Sequence, residues 1–201
     1  MKLLGYNPRY VLVYFCLAME DRTLSNPITG EKVKLITSAQ ETAGACTIAT
    51  CYLLPGGSKG LHYHKVVTQV FTALKGRLHL YQGGKKIIEL RPGEQHKILP
   101  GVVHGLFNPT NEIVQYQLTI TPGHEGLENM IRILYGLAYE KKLNASGIPQ
   151  DIHTQALLMK MGDTYFMDAV THFQPLINWK AKQAKKRGIE EALFSSYCSH
   201  R

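Results

Sequence analysis

Between residues 26 and 123 apolar side chains fall at every second position, in short runs interrupted by glycine and proline. CTIATCYLLP, VVTQVFTAL, RLHLYQ, KKIIEL and EIVQYQLTITP are the clearest of these runs. Alternation places successive side chains on opposite faces of an extended chain, so each run predicts a strand with one buried face. Gly83-Gly84, between RLHLYQ and KKIIEL, predicts a two-residue hairpin turn, because both central positions of a primed turn need positive φ. Past residue 124 the period changes. Leu127, Met130, Ile131, Leu134 and Ala138 recur at helical spacing and predict a helix over 126–142. A second helix is expected over 152–162 and a third after Pro175. Many short strands followed by helices exclude a parallel α/β sheet and imply an all-β sandwich or barrel carrying a helical extension.

Three zones result: an apolar leader (1–25), a β domain (26–123) and a helical extension (124–201) that packs on the barrel, forms a dimer contact or covers the barrel mouth. Within the leader, YVLVYFCLAM imitates the apolar core of an export signal, but Glu20, Asp21 and Arg22 follow at once with no small-residue cleavage site. It is also shorter than the roughly 20 apolar residues a membrane span requires. A buried strand or a non-native leader is the better reading, and no membrane partner is expected.

The 201 residues carry a formal charge of +8, part of it gathered in Lys180, Lys182, Lys185, Lys186 and Arg187. A nucleic-acid contact is one reading of that run; the solvated face of a terminal helix is the favoured one, because no aromatic side chains interleave with the lysines. Four cysteines (Cys16, Cys46, Cys51, Cys198) show no paired spacing. Cys46 and Cys51 lie in an apolar run, where a thiol behaves as a small hydrophobe, and a reducing cytoplasm is the simpler setting.

The candidate chemistry lies in GLHYHKVVTQVFTALKG and GEQHKILPGVVHGLFN. His62 and His64 are two residues apart and therefore share a strand face. His104 supplies a third imidazole from a distant strand. His79, His96, His124, His153, His172 and His200 have no ligand spacing and are expected in surface, hydrogen-bonding or capping roles. Asn108 reads as a turn-stabilising residue.

These two stretches resemble the paired motifs of the cupin superfamily, G-x5-H-x-H-x3,4-E-x6-G and G-x5-P-x-G-x2-H-x3-N. Gly56, His62, His64 and Gly76 fit the first; Gly93, Gly101, His104 and Asn108 fit the second. Gln69 stands where the first motif has its acid, and the proline of the second has slipped to Pro100, leaving Leu99 in its place. The flanking segments are similar to single-domain cupins with a C-terminal helical extension. The resemblance implies a jelly-roll β-barrel with a divalent transition metal (Fe, Mn, Ni, Zn or Cu) inside it, held by His62, His64, Gln69 and His104. It also implies a small-molecule ligand and a homodimer.

Three neutral imidazoles can hold such an ion and leave positions open, as three-histidine zinc sites do. Gln69 offers a carbonyl oxygen but no charge and no general base. Two functions therefore compete. One is a metal-dependent enzyme of dioxygenase, isomerase or lyase type. The other is a small-molecule-binding or sensing module in which Gln69 has weakened or abolished catalysis. Phe71 and Ala73 share parity with Gln69 and are expected at the substrate pocket, with filling of the core as the alternative for Phe71.

Overall fold

The computed structural model describes residues 22–83, 86–167 and 174–198. The leader lies outside these residues except for its last four positions, as do His172, His200 and Cys16.

Among the described residues eleven strands form two antiparallel sheets. The first contains β1 (Thr23–Asn26), β2 (Glu31–Thr37), β3 (Thr47–Leu53), β5 (Thr68–Lys75), β8 (Gln95–Ile98) and β10 (Val114–Thr121), in the order β1-β2-β3-β10-β5-β8. The second contains β4 (Ser58–Tyr63), β6 (Leu78–Gln82), β7 (Lys86–Leu90), β9 (His104–Phe107) and β11 (Tyr165–Phe166), in the order β11-β4-β9-β6-β7. From β3 onward the chain crosses between the sheets at every step except the β6–β7 hairpin, and the two sheets enclose the core as a jelly roll. The alternation is regular at its centre: Ala49, Cys51 and Leu53 of β3, and Val114, Tyr116, Leu118 and Ile120 of β10, are all buried.

At the β6–β7 hairpin Gln82 pairs with Lys86, which leaves three residues between the paired ends. The expected Gly83-Gly84 turn falls partly on residues outside the described set. Gly83 does take positive φ (+62°), and residues 84 and 85 lie outside the described set.

Four helices follow among the described residues: α1 (Glu125–Tyr139), α2 (Ile152–Met161), α3 (Gln174–Lys186) and α4 (Ile189–Tyr197). Two begin on side-chain caps, which satisfy amides that the first turn leaves unpaired. His124 Nδ1 accepts from Leu127 N at 2.9 Å, and Asp151 Oδ2 accepts from Thr154 N at 2.8 Å. Leu127, Met130, Leu134 and Ala138 are buried as the periodicity predicts. Ile133, Tyr135 and Leu137 are buried as well, because α1 packs on β1, α2 and α4 and so has more than one covered face. On α3, Ile177, Ala181 and Ala184 face inward while Lys182, Lys185 and Lys186, and Arg187 just past its end, are exposed. Among the described residues no helix is long and apolar enough to cross a membrane, and Cys46 and Cys51 form no disulfide.

After α2 the chain turns back to the sheets. Tyr165 and Phe166 of β11 pair with Tyr63 and His62 of β4, so the helical segment contributes the edge strand beside the candidate site.

Candidate metal centre

The site is assembled from both sheets. His62 and His104 face each other as a directly paired couple on β4 and β9, His64 lies just beyond the end of β4, and Gln69 approaches from β5 in the opposite sheet. Pro100-Gly101 draws the two stretches together. Gly101, at φ +81°, donates its amide to the His64 carbonyl at 2.6 Å, a left-handed position that suits glycine. The other end of the second stretch is pinned by Asn108, whose Nδ2 donates to Leu53 O at 2.9 Å and Glu112 O at 2.7 Å.

His62, His64 and His104 are each at most 3% exposed, and one ring nitrogen of each lies within 4.8 Å of the others. Their centroids are separated by 5.1 Å (62–64), 4.3 Å (62–104) and 5.5 Å (64–104). The opposite nitrogen of every ring faces a backbone carbonyl. Nδ1 of His62 is 2.7 Å from Gly60 O, that of His64 is 2.8 Å from Asp163 O, and that of His104 is 2.9 Å from Val102 O. A carbonyl only accepts, so each Nδ1 donates, and a neutral ring then keeps its one lone pair on Nε2. His64 Nε2 is buried with no hydrogen-bond partner. Buried imidazoles oriented through Nδ1–H, with Nε2 lone pairs left over, are the arrangement of metal-bound histidine. The rings remain neutral. Burial presses His62 well below the ordinary histidine range, with its two neighbours adding to the effect. Burial likewise lowers His64 to about 3 and His104 to about 4. The Lys59 ammonium pushes all three in the same direction.

Gln69 turns toward the cluster, its Oε1 2.8 Å from His104 Nε2. With Nδ1 of His104 already donating, two acceptors would meet in that contact. It is resolved when the amide presents its N–H to Nε2, or when a cation stands among the nitrogens and the carbonyl. The donor set therefore fits a borderline divalent metal: three neutral imidazoles with an amide carbonyl in reach.

His62, His64 and Gln69 form part of the wall of a cavity of about 370 Å³. Leu127, Met130 and Leu134 of α1 cover one side, and Phe166 and Met167 close another. Phe71 (2% exposed) and Ala73 (0%) face the interior as Gln69 does, but they pack in the core and the cavity wall runs through other residues. Phe71 stacks edge-on to His104 with centroids 6.0 Å apart. The remaining described histidines lie elsewhere: His79 is 3.5 Å from Glu89, His96 2.9 Å from Gln82, His153 3.5 Å from Asp151, and His124 caps α1.

Two groups not foreseen from the sequence complete the surroundings. Asp163 is 6% exposed with left-handed backbone (φ +47°), and besides holding His64 it accepts from Lys65 N (2.9 Å) and Val66 N (2.7 Å) through Oδ2. Its position 99 residues from His64 leaves no local sequence signal. The second group is Glu31, buried at the cavity wall, which accepts from Tyr116 Oη at 2.7 Å and Tyr135 Oη at 2.5 Å, with Lys59 Nζ 3.5 Å away.

A jelly roll with clustered interior histidines defines a class, and sequence comparison agrees with it. Residues 49–121 match the family model for the cupin domain. The match spans 73 of the 201 residues and takes in His62, His64, Gln69 and His104. Comparison with curated protein sequences finds no match. Among solved structures, a predicted oxalate decarboxylase from Thermotoga maritima is 22% identical, covering 46% of this chain and 80% of its own, with TM-score 0.44. An RmlC-like cupin from Shewanella frigidimarina is 21% identical, covering 53% and 88%, with TM-score 0.44. A sugar phosphate isomerase from Silicibacter pomeroyi is 18% identical, covering 47% and 60%, with TM-score 0.41.

Proposed function

We propose that this protein is a metal-binding cupin that receives a small organic molecule in the cavity beside its three-histidine cluster. His62, His64 and His104 hold a divalent transition metal, and Gln69 lends a carbonyl oxygen or remains on His104. The observation that carries the reading is the set of three buried imidazoles, each oriented by a carbonyl at Nδ1, with His64 Nε2 left unpartnered. When bound, such an ion polarises an oxygen of the ligand and stabilises developing negative charge, the chemistry shared by oxygenase, isomerase and lyase reactions. The protein's own groups hold the ion's ligands neutral, exclude water with the α1 face and orient the organic molecule. Metal analysis of the purified protein beside His62→Ala and His104→Ala tests this. Stoichiometric metal in the parent and little in the variants is expected; equal content in all three excludes the site.

Gln69 favours a second reading, a binding or sensing module without turnover, since neither the amide nor the three low-lying imidazoles supplies a ready base at neutral pH. Gln69→Glu separates the two. A steep rise in metal affinity with no turnover across a substrate panel supports the module, whereas turnover supports the enzyme. A cytoplasmic homodimer completes this reading, and the apolar faces of the helical extension support the dimer. Light scattering of the purified chain reads the oligomer directly.

A further inference from the structure

We propose that Lys59 makes the cavity a site for a small amphiphilic organic anion, its acidic head at the ammonium and its hydrocarbon body along the underside of α1. Strand alternation alone would not point Lys59 and His62 the same way, because they are three residues apart. The register explains it. Lys59 pairs with Leu106 and His62 with His104, so three residues of β4 are matched by two of β9. The extra residue is a bulge, and it turns Lys59 toward the interior with His62, since directly opposed residues share a face and Leu106 and His104 are both buried.

The ammonium has donors to offer. Glu31 is its charged partner among the described residues, at 3.5 Å, longer than the roughly 2.7–2.9 Å of a charge-assisted bond. The Glu31 oxygens already accept one tyrosine hydroxyl each, from Tyr116 and Tyr135. Glu31 thus steadies Lys59 without using up its three N–H groups. Gln69 adds no negative charge to the wall, where a carboxylate would have offset part of any cation held there. Opposite this polar end the wall is apolar: Leu118, Leu127, Met130, Leu134, Ile148 and Phe166. A volume of about 370 Å³ lies at the small end of ligand cavities, which excludes large conjugates. A charged head and a short hydrocarbon body satisfy both ends.

The contact with Lys59 stands without the metal; only a second contact of the head, toward the imidazoles, rests on the metal reading. The probes are hexanoate and its neutral isostere hexanamide, titrated calorimetrically into metal-free and zinc-loaded protein. The metal-free protein is expected to bind hexanoate at least about tenfold more tightly than hexanamide, as charge-assisted bonds to one ammonium require. Lys59→Met should abolish that preference, and Lys59→Arg should retain it. Along acetate, butanoate and hexanoate, affinity should rise about fourfold per methylene. Equal affinity for acid and amide in the unmodified protein overturns the proposal whether or not any variant folds. So does a preference that survives in Lys59→Met, or acetate binding as tightly as hexanoate. Zinc is expected to tighten hexanoate further and the amide little. Zinc that does not bind counts against the metal reading alone and leaves the acid–amide comparison in force.

Discussion

Replacing Asp163 by alanine removes one carboxylate that holds two amides 98 and 97 residues away in the chain. Its Oδ2 holds the amides of Lys65 and Val66 at 2.9 and 2.7 Å, and these anchor the backbone immediately after His64. Hydrogen bonds to a charged group contribute about 1.5–3 kcal/mol each, so two of them give about 3–6 kcal/mol. The site is 6% exposed, which leaves little water to replace them. The alanine must also keep the left-handed backbone (φ +47°), at a further cost of about 1 kcal/mol or more. Asp163→Asn retains an acceptor oxygen and should lose roughly half as much. The carbonyl that orients His64 belongs to the backbone, so its displacement should weaken metal binding about 10- to 100-fold, the range seen when a partner orienting a ligand histidine is removed. Urea unfolding of metal-free protein reads the first effect and competitive zinc titration the second. Metal affinity in Asp163→Ala equal to that of the parent would show that the helical segment does not orient His64.

Three further outcomes follow from the same geometry. Gln69→Glu should raise zinc affinity by about one to two orders of magnitude, about 1.4–2.7 kcal/mol, by placing a charge where the amide now stands; unchanged affinity would mean that residue 69 does not reach the ion. Metal-free stability should fall as pH drops. His64 and His104 take up protons only near pH 3 and 4, and His62 only well below the ordinary histidine range, whereas unfolded histidine does so near 6.5, so the unfolded state binds more protons across that window. Three rings give a slope approaching 4 kcal/mol per pH unit, and urea midpoints that stay flat between pH 7 and 5 would contradict it. Asn108→Ala, which leaves the carbonyls of Leu53 and Glu112 without their amide donor, should cost about 2–3 kcal/mol in thermal or urea melts. A loss below 0.5 kcal/mol would remove Asn108 from its pinning role.

The sheets were legible because β3, β5 and β10 each present an uninterrupted alternation, and such a pattern buries one face whatever strand lies beside it. The three imidazoles were legible for a related reason: His62 and His64 share parity, and the glycines around His104 mark a turn. What escaped depends on pairing partners. The bulge that turns Lys59 inward exists only in the mismatch between β4 and β9, and neither strand displays it alone. Asp163, Glu31 and Tyr135 act across long chain separations, with nothing in their immediate neighbours to signal it. Phe71 has the parity of a pocket residue, but parity separates inside from outside and not cavity from core.

X-ray absorption at the metal edge of zinc-loaded protein tests the central claim most directly. Three imidazole nitrogens at about 2.0–2.1 Å should appear in the first shell, and the imidazole scattering should fall by one ring in His104→Ala. A first shell without imidazole, or one identical in the parent and His104→Ala, would contradict the assignment of His62, His64 and His104 as the metal's ligands.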